Sequence, residues 1–346
     1  MVVKIRMMKK YFALIICLMT GIITEAQVLK FNAQGNFKIL QFTDVHYRYN
    51  DPMSDVALKC IQEVTESEKP DLLVFTGDNI YSKPGDVAMQ TLLKTISKTG
   101  VPFVVLFGNH DEEQGVSNSD LYDIIRTAKN NIQPDKKGNV SPDYTIEIRS
   151  SKDHHIAAIL YCLDSHNRAK TQCDREKGYA WLTYDQINWY RKVSASYTES
   201  NNGNPLPALA FFHIPVPEFN EAASDEEDIL IGNRLEKACA PKLNTGMFTA
   251  MRIGGDVMGI FCGHDHDNDY TVMHHGILLG YGRFTGGNTE YNHLRNGGRV
   301  ILLKEGQRYF ETWIRQRGGE IVNKSTYPDS YIKDDWTKRS LEQVNK

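Results

Sequence analysis

Short apolar runs recur along the chain, and each ends at a polar cluster. The runs FKILQFTD (Phe37–Asp44), DLLVFTGD (Asp71–Asp78) and VPFVVLFGNHD (Val101–Asp111) predict strands. Between the first two, Asp55–Glu68 places Ala57, Cys60, Ile61 and Val64 at helical spacing. Asp86–Gly100 and Ser119–Asn130 read as helices in the same way, and Gly100 closes the former. A strand–helix–strand rhythm implies crossover connections and a largely parallel sheet. The middle of the chain is richer in strands, at Tyr144–Ser150, His155–Ser165 and Leu206–Pro215. A helix at Thr183–Tyr197 opens on a Thr183/Gln186 capping-box pattern. Glu218–Asp228 is acidic and loop-like. Strands return at Val257–Gly263, Gly276–Gly282, Arg299–Gly306 and Tyr309–Arg315, and the segment after Arg317 reads as a polar, peripheral tail. No internal repeat, linker or domain boundary interrupts residues 27–346, so the pattern predicts one α/β unit.

The first residues follow a different grammar. KIRMMKK is basic, YFALIICLMTGIIT is apolar but short for a membrane span, and TEA supplies small residues before Gln27. This predicts a signal peptide over residues 1–26, cleaved after Ala26, and a secreted or periplasmic protein. No later segment is long and apolar enough to cross a bilayer. In an oxidising compartment a bridge between Cys173 and Cys239, both in polar segments, is permitted. Cys60, Cys162 and Cys262 sit in apolar patterns and read as core residues. The 346 residues are 41% hydrophobic and 24% charged, with a formal net charge of -3. That balance is ordinary for a folded chain and gives no basic patch for nucleic acid.

The polar clusters themselves carry the candidate chemistry. Asp44 and His46 follow the first strand, Asp78 the second, and Asn109 and His110 the third. His213 follows FF, and His264 and His266 follow IFCG. A single HDH after a strand is usually a solvated loop. Functional crevices in α/β sheets nevertheless lie outside the carboxyl ends of strands, so residues scattered in sequence converge there. Three carboxylate or amide oxygens and four imidazoles suit divalent Zn, Mn or Fe. They are too many for one tetrahedral ion and enough for two if one carboxylate bridges. Two ions roughly 3.5–4 Å apart stabilise the attacking and leaving oxygens of a phosphoryl displacement. Gly263 is expected to let the backbone turn sharply enough to aim both histidines.

The ordered set DxH, GDN, GNHD, a lone histidine and GHxH resembles the calcineurin-like metallophosphoesterases, from Phe37 to about Arg315. RVILLKEG and ETWIR are similar to the subgroup related to purple acid phosphatases. The resemblance implies an α/β sandwich of two mixed sheets flanked by helices. It implies that Asp44, His46, Asp78 and His266 hold a first divalent metal, and Asp78, Asn109, His213 and His264 a second. His110 would then contact phosphate together with Asn109 and protonate the leaving group, with Asp111 orienting it. The implied activity is hydrolysis of a phosphate ester by metal-bound hydroxide, with a phosphomonoester the favoured substrate. A phosphodiester or nucleotide is the alternative, and a non-catalytic metal-dependent binder is a further one. An intact His110 argues against the binder.

Two neighbouring residues have open readings. GDNIY matches the GDxxY pattern of purple acid phosphatases, in which the tyrosine binds ferric iron. Those enzymes have glycine where this chain has His46, so His46 is expected as the ligand and Tyr81 beside it or in the core. Arg283, among glycines in LLGYGRFTGG, is a candidate phosphate contact, against the reading of a surface arginine in a turn.

Overall fold

The computed structural model describes residues 28–136, 143–169, 178–287 and 290–333. The expected signal peptide and Cys173, hence the Cys173–Cys239 pairing, lie outside these residues.

Strands β1 (Asn36–Phe42), β2 (Leu72–Thr76) and β3 (Phe103–Leu106) pair in parallel. They are joined by crossover helices α1 (Asp55–Glu68) and α2 (Gly85–Lys98), and α3 (Asn118–Arg126) follows β3. Strands β11 (Gly297–Lys304), β12 (Phe310–Gln316) and β13 (Ile321–Tyr327) add to the free edge of β1 as antiparallel neighbours, so the order is β13-β12-β11-β1-β2-β3. All five residues of β2 are buried, as a continuous apolar strand covered on both faces should be.

A second, seven-stranded sheet is also mixed. It comprises β4 (Tyr144–Arg149), β5 (Ile156–Cys162), β6 (Ala208–Phe211), β8 (Val257–Cys262), β10 (Ile277–Tyr281), β9 (Thr271–His274) and β7 (Leu230–Ile231), in that spatial order. Helix α4 (Tyr184–Ser200) carries the expected capping box. It packs with α6 (Met247–Gly254) on this sheet, where Ile187, Tyr190, Met247 and Met251 bury against Ile159, Ala208 and Ile260. The two sheets share a core that joins Phe42 and Phe75 of one to Phe211 and Phe261 of the other.

Besides strands β7 and β9, which the sequence pattern does not predict, three segments differ from the sequence expectation. The acidic stretch after Pro217 forms helix α5 (Glu218–Ser224), because Phe219 and Ala222 bury on one side and Glu218 finds Asn244 Nδ2 at 2.8 Å. Helix α6 went unread because eight residues hold little more than two turns of periodicity. The tail after Arg317 is not merely peripheral: β13 pairs with β12, and Tyr327 and Tyr331 bury beneath it. Its period is hidden because polar Ser325 is buried against Tyr331 while apolar Ile321 is exposed.

Strand register positions the site. Phe42 pairs with Phe75, Thr76 with Leu106, and Phe211 with Phe261, so the chain leaves five strands near one edge of the sandwich. Buried Gln41 couples the sheets there, its Nε2 donating to Thr76 Oγ1 at 2.9 Å and to the Cys262 carbonyl at 3.0 Å. Arg299 does the same deeper in. It donates to the carbonyls of Tyr281 and Asp269 at 2.5 and 2.6 Å and to Thr312 Oγ1 at 3.0 Å.

Candidate metal centre

Where the chain leaves these strands, its backbone is forced into an uncommon conformation. Asp44, His46, Asp78 and His264 have φ of 51°, 47°, 50° and 82°, in the left-handed region that non-glycine residues seldom occupy. Each such residue costs on the order of 1–3 kcal/mol and persists only where its surroundings impose it. Here they do. The N–H of His264 donates to Asp44 Oδ2 at 3.0 Å, that of His110 to Asp78 Oδ1 at 2.8 Å, and Thr43 Oγ1 to Asp44 Oδ2 at 2.7 Å.

The result is two compact groups of ligand atoms. Asp44, His46 and His266 form one; Asp78, His213 and His264 form the other. Within each group the ligand atoms lie within 4.8 Å of one another, and all six residues are buried. Asp44 Oδ1 is 3.8 Å from His46 Nε2 and 3.7 Å from His266 Nε2. His213 Nε2 is 3.1 Å from Asp78 Oδ2 and 3.3 Å from His264 Nδ1. Ligands about 2.1 Å from a tetrahedral ion are roughly 3.4 Å apart, so these spacings fit coordination. Asp78 Oδ2 also lies 3.7 Å from His46 Nε2, which places one oxygen between the two groups. Asn109 is fully buried, and both its side-chain polar atoms lack a hydrogen-bond partner among the described residues. A buried amide left so is costly unless something else takes it, and an ion would.

Neighbours set the imidazole nitrogens. His213 Nδ1 is 2.8 Å from the Thr76 carbonyl and His266 Nδ1 is 2.9 Å from that of Tyr291. Each Nδ1–H donates there, so Nε2 is the nitrogen that faces the carboxylates. Burial opposes ionisation of Asp44, but the His46 hydrogen bond and the nearby imidazoles outweigh it and hold the carboxyl down at about 2. Asp78 is likewise held well below the ordinary range, chiefly by His213 once burial is overcome. Burial lowers His46, and it lowers His264 to about 3 together with the His213 charge. His213 is pushed up to about 10, because Asp78 overcomes its burial. Two ionised carboxylates therefore draw in positive charge while two imidazoles stay in the neutral form that binds metal.

Three sequence expectations need correction. Asp111 does not orient His110. Its carboxylate turns away to accept the backbone N–H groups of Asn79, Ile80 and Gly108 and Asn79 Nδ2, at 2.8–3.1 Å. It staples the loop after β2 to the loop after β3. The carboxylate on His110 Nδ1 is that of Glu113, at 2.6 Å. Arg283 is neither a surface residue nor a phosphate contact. It is 1% exposed and ion-paired with Asp269, and it donates to the Arg295 carbonyl at 2.8 Å. Gly263 serves space rather than turning. The positive φ belongs to His264, and a Cβ at Gly263 would overlap Thr43 Oγ1 and lie 2.6 Å from Asp44 Oδ2.

Tyr81 lies in the site by its ring, 4.9 Å from both His46 and His110 and edge-on to each, with the Arg48 guanidinium 5.0 Å over it. Burial and Glu290 raise its phenol above the ordinary value. Two aromatic neighbours escaped sequence reasoning. Tyr291 stacks on His266 at 4.4 Å, and Tyr179 meets His264 edge-on at 4.3 Å. Neither follows a strand, so no positional signal marked them.

Comparison with known proteins agrees with this geometry. A family model described as calcineurin-like phosphoesterase matches residues 37–268, more than half of the chain. A protein of Arabidopsis thaliana named "Probable inactive purple acid phosphatase 14" is 32% identical over 306 residues, covering 78% of this chain and 76% of its own. "Phosphatase DCR2" of Saccharomyces cerevisiae is 30% identical over 347 residues, covering 85% of this chain and 56% of its own. A crystal structure of a dimetal phosphatase from Danio rerio superposes with a TM-score of 0.56 at 14% identity, over 86% of this chain and 99% of that one. At that identity the likeness bears on the fold, two mixed sheets flanked by helices, and on nothing finer. The family match and the ordered ligand groups together settle the lineage: the chain belongs to the calcineurin-like phosphoesterase family.

Proposed function

We propose that this chain is a two-metal phosphoesterase, exported from the cytoplasm, that hydrolyses a phosphomonoester. The observation that carries the proposal is the pair of buried ligand groups joined by Asp78 Oδ2, with the half-buried His110 ring 5.6 Å from that of His46. Asp44, His46, Asp78 and His266 would hold one divalent ion, and Asp78, Asn109, His213 and His264 the other. Divalent ions bound there lower the pKa of water and neutralise charge on the phosphoryl oxygens. The chain's own groups supply the rest. The Thr76 and Tyr291 carbonyls fix the His213 and His266 rings, and the Asp44, Asp78 and His264 backbone holds its ligands in place before substrate arrives. His110, on the loop that also carries Asn109, protonates the departing oxygen. The yeast relative named a phosphatase supports catalysis; the plant relative's name describes that protein.

The test is elemental analysis of the purified protein, with chromogenic mono- and diester substrates assayed on the same sample. About two ions per chain with turnover of the monoester is the expected result. It should be reduced on the order of 10²–10⁴-fold in His110→Ala with metals retained. Two ions without turnover of any ester would favour the non-catalytic binder, and faster turnover of the diester would favour that substrate class. Export is tested separately, by the mass of the mature N-terminus, expected at Gln27.

A further inference from the structure

Three consecutive carboxylates follow His110, and they point in three directions. Asp111 is buried on backbone N–H groups. Glu112 accepts from Asn167 Nδ2 at 3.0 Å. Glu113 alone of the three turns back to the histidine, with Oε2 2.6 Å from Nδ1. The reason is local geometry. Residues Glu112–Gln114 form a 3₁₀ turn, and the Glu113 N–H bonds the His110 carbonyl at 3.3 Å. In a 3₁₀ turn, side chains at i and i+3 eclipse one another, so residues 110 and 113 stack on one side.

The rest of the His110 residue is fixed as well. Its N–H is tied to Asp78 Oδ1, and Gln114 Nε2 donates to its carbonyl at 2.9 Å. Its ring is flanked edge-on by those of Tyr81 and His46. The remaining freedom is rotation about the side chain and the choice of nitrogen that carries the proton, and Glu113 removes both.

We infer that Glu113 is a positioning residue for His110: by accepting the Nδ1–H it presents Nε2 to the leaving oxygen. This rests on the phosphoesterase reading above. In the reaction, water oxygen forms the new bond to phosphorus and its proton passes to solvent. The P–O bond to the leaving group breaks, with its electron pair on the departing oxygen. His110 acts with both ring nitrogens protonated: the Nε2 proton moves to that pair, leaving the Nδ1–H tautomer held by Glu113, and solvent later restores it. Glu113 touches neither substrate nor metal in this scheme.

The experiment has two arms, so that failure of one does not mask the other. In the first, metal-free protein labelled with ¹⁵N-histidine reports the His110 tautomer where the ring is neutral, with His110→Ala identifying the signals. Wild type should carry the proton on Nδ1. Glu113→Gln, whose amide oxygen can still accept it, should keep that tautomer, and Glu113→Ala should lose it. An unchanged tautomer in Glu113→Ala overturns the inference, whatever the enzyme does. In the second arm, Glu113→Ala should lower kcat for an alkyl phosphate about 10- to 100-fold, the range for removing a partner that orients a histidine. KM and metal content should not change. Loss should be smaller for a nitrophenyl ester, whose leaving group needs little protonation, and Glu113→Gln should recover most of the rate. Equal losses for both leaving groups, or loss of metal, would also overturn it. Wild type inactive on every ester would sink the phosphoesterase reading while leaving the tautomer result to stand or fall alone. Glu113 is 41% exposed on a surface turn, so these variants should fold.

Discussion

Replacing Asp78 with asparagine probes the centre most directly, because its carboxylate lies between the two candidate ligand groups. Asp78 Oδ1 accepts the His110 N–H at 2.8 Å, while Oδ2 faces His213 Nε2 at 3.1 Å and His46 Nε2 at 3.7 Å. Asparagine can keep the first bond with its amide oxygen, so the loop after β3 should hold its course. Its NH₂ must then point where Oδ2 was, presenting two donors to two cations. Both ions should be lost together. Binding to the folded state alone at 100 times Kd contributes about 2.7 kcal/mol per site, hence about 5 kcal/mol for two. At about 2 °C per kcal/mol, suited to a chain of this size, metal loading should raise the wild-type Tm by ~10 °C. The variant should gain almost nothing. The assay is elemental analysis beside thermal unfolding, each with and without chelator. His266→Ala is the comparison, since only Asp44 and His46 share its group and it should cost one ion. An Asp78→Asn protein that keeps one ion and half the thermal shift would refute the shared oxygen and return Asp78 to the second group alone.

Further outcomes are expected from the same geometry. In metal-free protein, His213 is raised to about 10 against roughly 6.5 unfolded, so its stabilisation is complete below the lower value and fades as pH rises toward the upper. Asp44, held at about 2, acts oppositely: its contribution is present above the unfolded value of roughly 3.9 and is lost as pH falls toward 2. The Tm of chelated protein should therefore fall on alkaline titration, and metal loading should flatten that fall; a flat chelated profile would contradict it. Gly263→Ala forces a Cβ against Thr43 Oγ1 and Asp44 Oδ2 and should cost about 1–3 kcal/mol in urea unfolding, with weaker metal retention; an unchanged midpoint would mean the Thr43 loop yields freely. With its phenol raised by burial and Glu290, Tyr81 should stay protonated and off the metal. Iron-loaded, oxidised protein should then lack an intense tyrosinate band, and a band in wild type that disappears in Tyr81→Phe would place Tyr81 among the ligands.

What the sequence determined by itself was the set of strands that end in candidate ligands. Asp44, His46, Asp78, Asn109, His213, His264 and His266 were legible because each follows an apolar run, and a buried strand can only surface at its end. The helices α1, α2 and α4 were legible for a similar reason, since their apolar residues recur at the period of one face. The short helices α5 and α6 were not, because so few turns give no period to read. Tertiary structure decided everything that depends on a contact between distant or adjacent side chains. That Arg283 spends its charge on Asp269, and is therefore no partner for phosphate, follows from burial that spacing cannot express. That Glu113 rather than Asp111 meets His110 depends on a 3₁₀ turn and on which N–H groups capture Asp111 first. The left-handed backbone at Asp44, His46, Asp78 and His264 suits Asp and His better than most residues, but those types are common elsewhere and do not mark where it occurs. The physical division is simple: periodicity and strand ends are properties of the chain taken locally, whereas the partner of a charge, and the nitrogen a histidine presents, are settled by what packs against it.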